Sequence, residues 1–162
     1  MNRIGAQPNK APALTDNERV VCKLHQVAEL KDSTEFAAWV SEDGSFWDVS
    51  ADGKYFAPNI GETVDICATA FPDMHRALER QYVIGDVVIV QLSLSGTHEG
   101  PLAMAQGTIP ATGKKMHTPG CDVFQLMDGK VKSFHCFTVA TIQFGQLGVL
   151  GNLGAAFHAP TY

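Results

Sequence analysis

The sequence predicts an α+β fold, with N-terminal helices packed on an antiparallel sheet. Three observations carry that prediction. Apolar residues recur at helical spacing through roughly the first third of the chain and then give way to extended, strand-like runs. The pairs Gly85-Asp86 and Asp128-Gly129 break those runs into hairpins. The helices also come first and the strands after, the order expected when helices are segregated to one face of an antiparallel sheet.

The first fourteen residues hold two prolines and no periodicity, and read as a loosely docked arm. A helix opens at "TDNE", where Thr15 stands three residues before Glu18 in a capping-box pattern. Val20, Val21, Leu24, Val27, Ala28 and Leu30 form its apolar stripe. Asp32 or Ser33 caps a second helix, with Phe36, Ala37, Trp39 and Val40 as its apolar side. "GSFWDVSADGKYFAPN" reads as two extended pieces joined by a turn at Asp52-Gly53, and a third helix from about Ile60 stops before Pro72. Strands follow at about 74–84 and 87–95. A long Gly- and Pro-containing loop, from Gly96 to Lys115, is of a length more often functional than idle. Two further strands flank Asp128-Gly129, and residues 151–162 form a Gly/Ala-rich tail.

With 162 residues, 45% of them hydrophobic, the chain suits one domain with a substantial core, expected over residues 15–150. A net charge of -5 and only 12 Lys+Arg leave no basic stripe, so no nucleic-acid partner is expected. No apolar run approaches the length of a membrane span, and the N-terminal segment has no apolar signal core; the expected compartment is the cytosol. Cys22, Cys67, Cys121 and Cys136 show no C-x-x-C spacing and sit in apolar segments, which argues against both disulfides and a metal site.

Counting back from a two-residue Asp128-Gly129 loop pairs Met127 with Lys130 and places Asp122 opposite His135. Directly opposed residues have Cβ atoms about 4.5–5.5 Å apart, within reach of a carboxylate–imidazole hydrogen bond. In this register Asp122, Phe124, Leu126, Val131, His135, Phe137 and Val139 share the apolar, helix-covered face. The pair either satisfies itself inside the sheet or serves acid/base work.

"FPDMH" at 71–75, "GD" at 85–86, "GTHEGPL" at 96–102, "PATGKK" at 110–115, "GCDVFQLMDGKV" at 120–131 and "GQLG" at 145–148 occur in that order. Together they resemble the SnoaL-like polyketide cyclase family, within the nuclear transport factor 2-like superfamily, over about residues 16–150. The resemblance implies a cone-shaped fold whose curved sheet and helices enclose a cavity, commonly in a homodimer, and acid/base chemistry with neither metal nor organic cofactor. The family's cyclases close a polyketide ring by an intramolecular aldol step, whereas relatives in the superfamily isomerise, hydrolyse epoxides or only bind. The cyclases carry an acid/base aspartate on the last strand; counting from Lys130 places Val139 there, so that carboxylate is absent. The acid of ketosteroid isomerases on the strand before the turn corresponds to Asp122, and their general base to Asp48. Their helix-one tyrosine has no counterpart, since a gapless count lands on Leu24, next to His25.

The candidate catalytic residues are therefore Asp122, His135, His98 and Asp48, with His98 roofing the cavity or holding its loop and Asp48 acting as base or turn cap. Trp47, Tyr55, Phe124, Phe137, Val139 and His117 are the candidate substrate-binding residues. His25 reads as structural, His75 as a loop or edge residue, and His158 carries no assignment. The expected function is a cofactor-independent cyclase or isomerase acting on a hydrophobic, carbonyl-bearing small molecule such as a polyketide or terpenoid intermediate. The alternatives are a non-catalytic small-molecule binder and a hydrolase or dehydratase using the same pocket.

Overall fold

The computed structural model of the chain describes residues 13–105 and 107–151; most of the expected arm and tail, with His158, lie outside the described residues. Helix α1 spans Asp16–Glu29 and is capped by Thr15 through the reciprocal bonds of the capping box. Val21, Leu24, His25, Val27 and Ala28 are its buried face, while Leu30, beyond its end, is exposed. Helix α2, Ser33–Ala38, is capped by the Asp32 side chain. Strands β1 (Val40–Asp48) and β2 (Gly53–Phe56) form the expected hairpin, and α3 (Glu62–Ala70) ends just before Pro72.

The long strands are β3 (His75–Ile84), β4 (Val87–Thr97), β7 (Lys115–Met127) and β8 (Lys130–Thr138). Between β4 and β7 the loop forms a small hairpin of its own, β5 (Leu102–Met104) with β6 (Gly107–Ile109). Six strands form one open sheet in the order β2-β1-β8-β7-β4-β3. All neighbours are antiparallel except β1 and β8, which run parallel, so the chain extends its sheet by laying the N-terminal hairpin beside the last strand. The α+β expectation holds, and helices α1–α3 pack against the sheet's concave face through a core that includes Val21, Leu24, Phe36, Val64, Val90 and Phe124.

A last helix, α4 (Ala140–Leu147), carries only a weak apolar pattern and is not evident from the sequence periodicity. Its role is clear from its contacts. The β7–β8 pairing stops at Gly120–Thr138, and beyond it the Gln146 amide takes over: it accepts from His117 N at 2.7 Å and donates to His117 O at 2.9 Å. Leu147 joins Ala70, Phe71, Met74 and Met116 in a second, smaller core cluster. No helix among the described residues is long and apolar enough to cross a membrane.

One register expectation fails. Asp128 and Gly129 both take positive φ, as a two-residue hairpin turn requires, and Met127 does pair with Lys130. Leu126 then pairs with Val131 but Gln125 with Ser133, which leaves Lys132 as an extra residue on β8. This β-bulge slips the remaining ladder by one residue, and a one-residue slip turns every side chain beyond it to the other face. Asp122 therefore stands opposite Cys136, while His135 stands opposite Val123.

Candidate active site

The concave face, α1–α3 and the β5–β6 loop enclose a cavity of about 130 Å³. Its wall is mainly apolar, including Leu24, Phe36, Val64, Phe71, Leu92 and Phe134, and a few ionisable groups break that surface: His25, Asp48, Tyr55, Arg76 and Asp122 with the thiols of Cys67 and Cys136. A mainly apolar pocket with a small number of placed polar groups is the usual form of a small-molecule site.

Asp122 lies on β7 and is buried to 2% exposure. Its partner across the cavity wall is His25 of α1, whose Nε2 lies 3.5 Å from Asp122 Oδ2. Burial pushes the Asp122 carboxyl up to about 7, against the opposing effects of the Cys136 thiol and the Arg76 charge. Burial, aided by Arg76, pushes His25 down to about 3. Both groups are thus predominantly neutral from about pH 3 to about pH 7, and the contact is a pair of neutral acids rather than an ion pair. Among the described residues, neither His25 Nε2 nor Asp122 Oδ1 has a hydrogen-bond partner. Leaving such buried groups unsatisfied costs about 1–3 kcal/mol each, a cost that a ligand oxygen would relieve. Beneath them lies an aromatic floor: Phe124 meets the His25 ring edge-on at 5.6 Å and stacks on Phe134 at 4.4 Å, which stacks in turn on Phe46.

Asp48 ends β1 on the same cavity. Its Oδ1 accepts from the backbone N–H groups of Ser50 and Ala51, both at 3.1 Å, so it caps the turn as well as facing the pocket. Burial raises its pKa and those two donors pull it back. The net direction is upward, so Asp48 is a stronger base than an exposed carboxylate. Tyr55 also lines the cavity, and burial together with the Asp48 charge raises its pKa, so its hydroxyl stays a hydrogen-bond donor.

The remaining candidates fall elsewhere. The bulge sends His135 to the convex face of the sheet, where its ring meets Trp47 edge-on at 5.6 Å. Trp47 itself turns outward under Lys54, whose ammonium lies 4.8 Å from the indole centre. Phe137 follows His135 outward and is exposed, as is His117. Val139 caps α4 and is exposed rather than cavity-lining, because β8 has ended at Thr138. Phe124 is completely buried and supports the site from below. His98 is completely buried but behind the cavity wall: it stacks on Phe71 at 5.1 Å, and its Nδ1 accepts from Thr112 N–H at 3.3 Å. It secures the loop.

The residue that sequence reasoning passed over is His25. Its place beside the core stripe of α1 suggests a structural histidine. The available signal was its adjacency to Leu24, the position matching the isomerase tyrosine; a shift of one residue on the helix restores a polar donor opposite Asp122. Among the described residues no three His, Cys, Asp or Glu side chains converge to hold a metal ion.

An open, curved sheet with helices closing its concave face over a polar-spotted cavity is the ketosteroid isomerase-like form of the nuclear transport factor 2 fold. The chain belongs to the SnoaL-like polyketide cyclase family, whose model matches residues 18–135. Similar solved structures include the hydroxylase candidate AclR of Streptomyces galilaeus, with a TM-score of 0.70, 16% identity and coverage of 87% of this chain and 86% of that one. A candidate SnoaL-like polyketide cyclase of Jannaschia sp. CCS1 has a TM-score of 0.68 and 21% identity over 85% of this chain and 97% of its own. The candidate polyketide cyclase IdmH of Streptomyces antibioticus has a TM-score of 0.68 and 16% identity over 83% and 100%. At these identities the likeness shows the fold. Among curated proteins none matches the sequence significantly.

Proposed function

We propose that the protein is a cofactor-independent enzyme that enolises a hydrophobic, carbonyl-bearing small molecule, leading to aldol-type cyclisation or double-bond migration. The observation that carries this reading is the pair of buried, unpartnered polar atoms, His25 Nε2 and Asp122 Oδ1, on the cavity that Asp48 also faces. The substrate carbonyl oxygen sits against His25 and protonated Asp122, and ionised Asp48 removes the proton from the adjacent carbon. Charge then moves onto the oxygen, where the two fixed neutral donors stabilise the enolate in a water-poor site. Protonated Asp48 returns its proton to a second carbon in an isomerisation, or to the new alkoxide in a cyclisation. The cavity's apolar wall supports a polyketide-like or terpenoid-like ligand. The expected homodimer belongs to the same reading, with Phe137 and Tyr82, exposed on the convex face, as apolar surface for it.

The test is proton exchange at the carbon beside the carbonyl of β-tetralone in heavy water, followed by NMR. Wild type should exceed the uncatalysed rate, with Asp48→Asn and Asp122→Asn each reducing the excess at least a hundredfold while β-naphthol, an enol mimic, still binds Asp48→Asn. Exchange that survives both substitutions would sink the reading. The hydrolase or dehydratase alternative draws on the absent carboxylate at Val139, and identifying the product of a true substrate separates it from cyclisation.

A further inference from the structure

Among the described residues Arg76 is the one guanidinium on the cavity wall. It lies on β3 opposite Leu94, and its side chain is only 13% exposed. A guanidinium is permanently charged and carries five N–H donors, so burying it is costly unless acceptors meet it. The protein supplies little. Among the described residues the nearest carboxylate oxygen is Glu29 Oε2, 4.0 Å from Arg76 Nη1, beyond hydrogen-bond range. Glu29 is already engaged: Oε1 lies 2.7 Å from His75 Nδ1, and Oε2 accepts the backbone N–H of Arg76 at 3.0 Å. A fork of donors therefore lines the cavity beside Met74 and Leu94, with its charge felt at His25, Cys67 and Asp122.

We propose that Arg76 is a specificity residue that receives a carboxylate on the substrate, so that the ligand class is a hydrophobic carbonyl compound bearing an acid group. This deepens the enolisation reading and rests on it for the position of the carbonyl. Asp122 pairs with Val90 on β4, four residues along from Leu94 and one strand nearer β8 than Arg76's own neighbour. On a flat sheet the Arg76 and Asp122 Cα atoms would be roughly 16 Å apart, and the long arginine side chain shortens that span between head groups. A two-ring skeleton with oxygen at one end and a carboxylate at the other bridges it. Bidentate geometry favours a planar carboxylate over a hydroxyl or an amide.

The probe is a hydroxynaphthoate with its hydroxyl and carboxylate at opposite ends of the naphthalene, compared by calorimetry at neutral pH with its uncharged carboxamide isostere. Wild type should bind the acid about tenfold to a hundredfold more tightly than the amide. Arg76→Gln should abolish that preference by weakening the acid alone, and Arg76→Lys should keep part of it. Asp122→Asn should weaken acid and amide alike and leave their ratio unchanged. Equal wild-type affinities, no binding of the acid, or a preference that persists in Arg76→Gln would overturn the assignment. If Asp122→Asn leaves both affinities unchanged while the acid preference persists, the enolisation site is wrong and the role of Arg76 stands.

Discussion

His25 on α1 and Asp122 on β7 meet across the cavity wall with Nε2 3.5 Å from Oδ2, and among the described residues neither His25 Nε2 nor Asp122 Oδ1 finds a hydrogen-bond partner. Burial pushes the two pKa values in opposite directions, the histidine down to about 3 and the aspartate up to about 7. Helix and strand thus hold two neutral donors side by side in an apolar enclosure. Burial is the main cause at both groups, disfavouring the charged form of each.

The pH dependence of stability should split between the two. His25 is depressed from 6.5, so its contribution is fully present above pH 6.5 and is lost as pH falls toward 3. Asp122 is raised from 3.8, so its contribution is fully present below pH 3.8 and is lost as pH rises through 7. The two slopes oppose each other in wild type. In Asp122→Asn, stability should rise from about pH 3 to pH 6.5; in His25→Leu it should fall from about pH 4 to pH 7, each by on the order of a few kcal/mol. Urea midpoints measured across that range check both signs.

Turnover should need Asp48 ionised and Asp122 protonated. The acid limb of the rate profile therefore lies above the ordinary carboxylate range, because burial raises Asp48, and the alkaline limb lies near pH 7. Asp122→Asn should remove the alkaline limb and keep the acid one. An alkaline limb unchanged in that variant would assign it to another group.

His135 and His98, both outside the cavity, should separate from the chemistry. His135→Ala, on the convex face, should leave the exchange rate within about twofold of wild type, since the ring lies against Trp47 and not the substrate. His98→Ala should lower stability by about 2–4 kcal/mol through the emptied space against Phe71 and the lost Thr112 bond. Activity per folded molecule should survive. Thermal unfolding read beside the exchange rate distinguishes these effects.

Gly100 should tolerate no side chain. A Cβ there would fall 2.0 Å from the Thr69 carbonyl oxygen, where the loop rests on the end of α3 through Glu99 N–H and Gly100 N–H to Ala70 O. Gly100→Ala should cost about 1–3 kcal/mol and loosen the cavity roof, visible as faster hydrogen exchange in Leu102–Met104.

The sequence carried the first three helices, the hairpin turns and the place of Asp122 and Asp48, because those depend on caps, turn chemistry and local periodicity. It did not carry the side-chain pairing. That depended on Lys132, whose extra position in β8 a turn-based count passes over; the spacing Val131, Phe134, Cys136, three residues and then two, is its trace. The parallel β1–β8 contact is equally silent, since it joins segments about ninety residues apart without any local signal. His25 was visible as a residue but not as a partner, because its role exists only once α1 lies across β7.

The central claim is that the substrate oxygen sits between His25 and Asp122 with Asp48 facing the adjacent carbon. A crystal structure of the protein with β-naphthol bound tests it most directly. The account predicts the naphthol oxygen within hydrogen-bond distance of both His25 Nε2 and the Asp122 carboxyl, and the ring edge toward Asp48. A naphthol bound in the cavity with its oxygen on Asp48, or with its oxygen away from both His25 and Asp122, would contradict it.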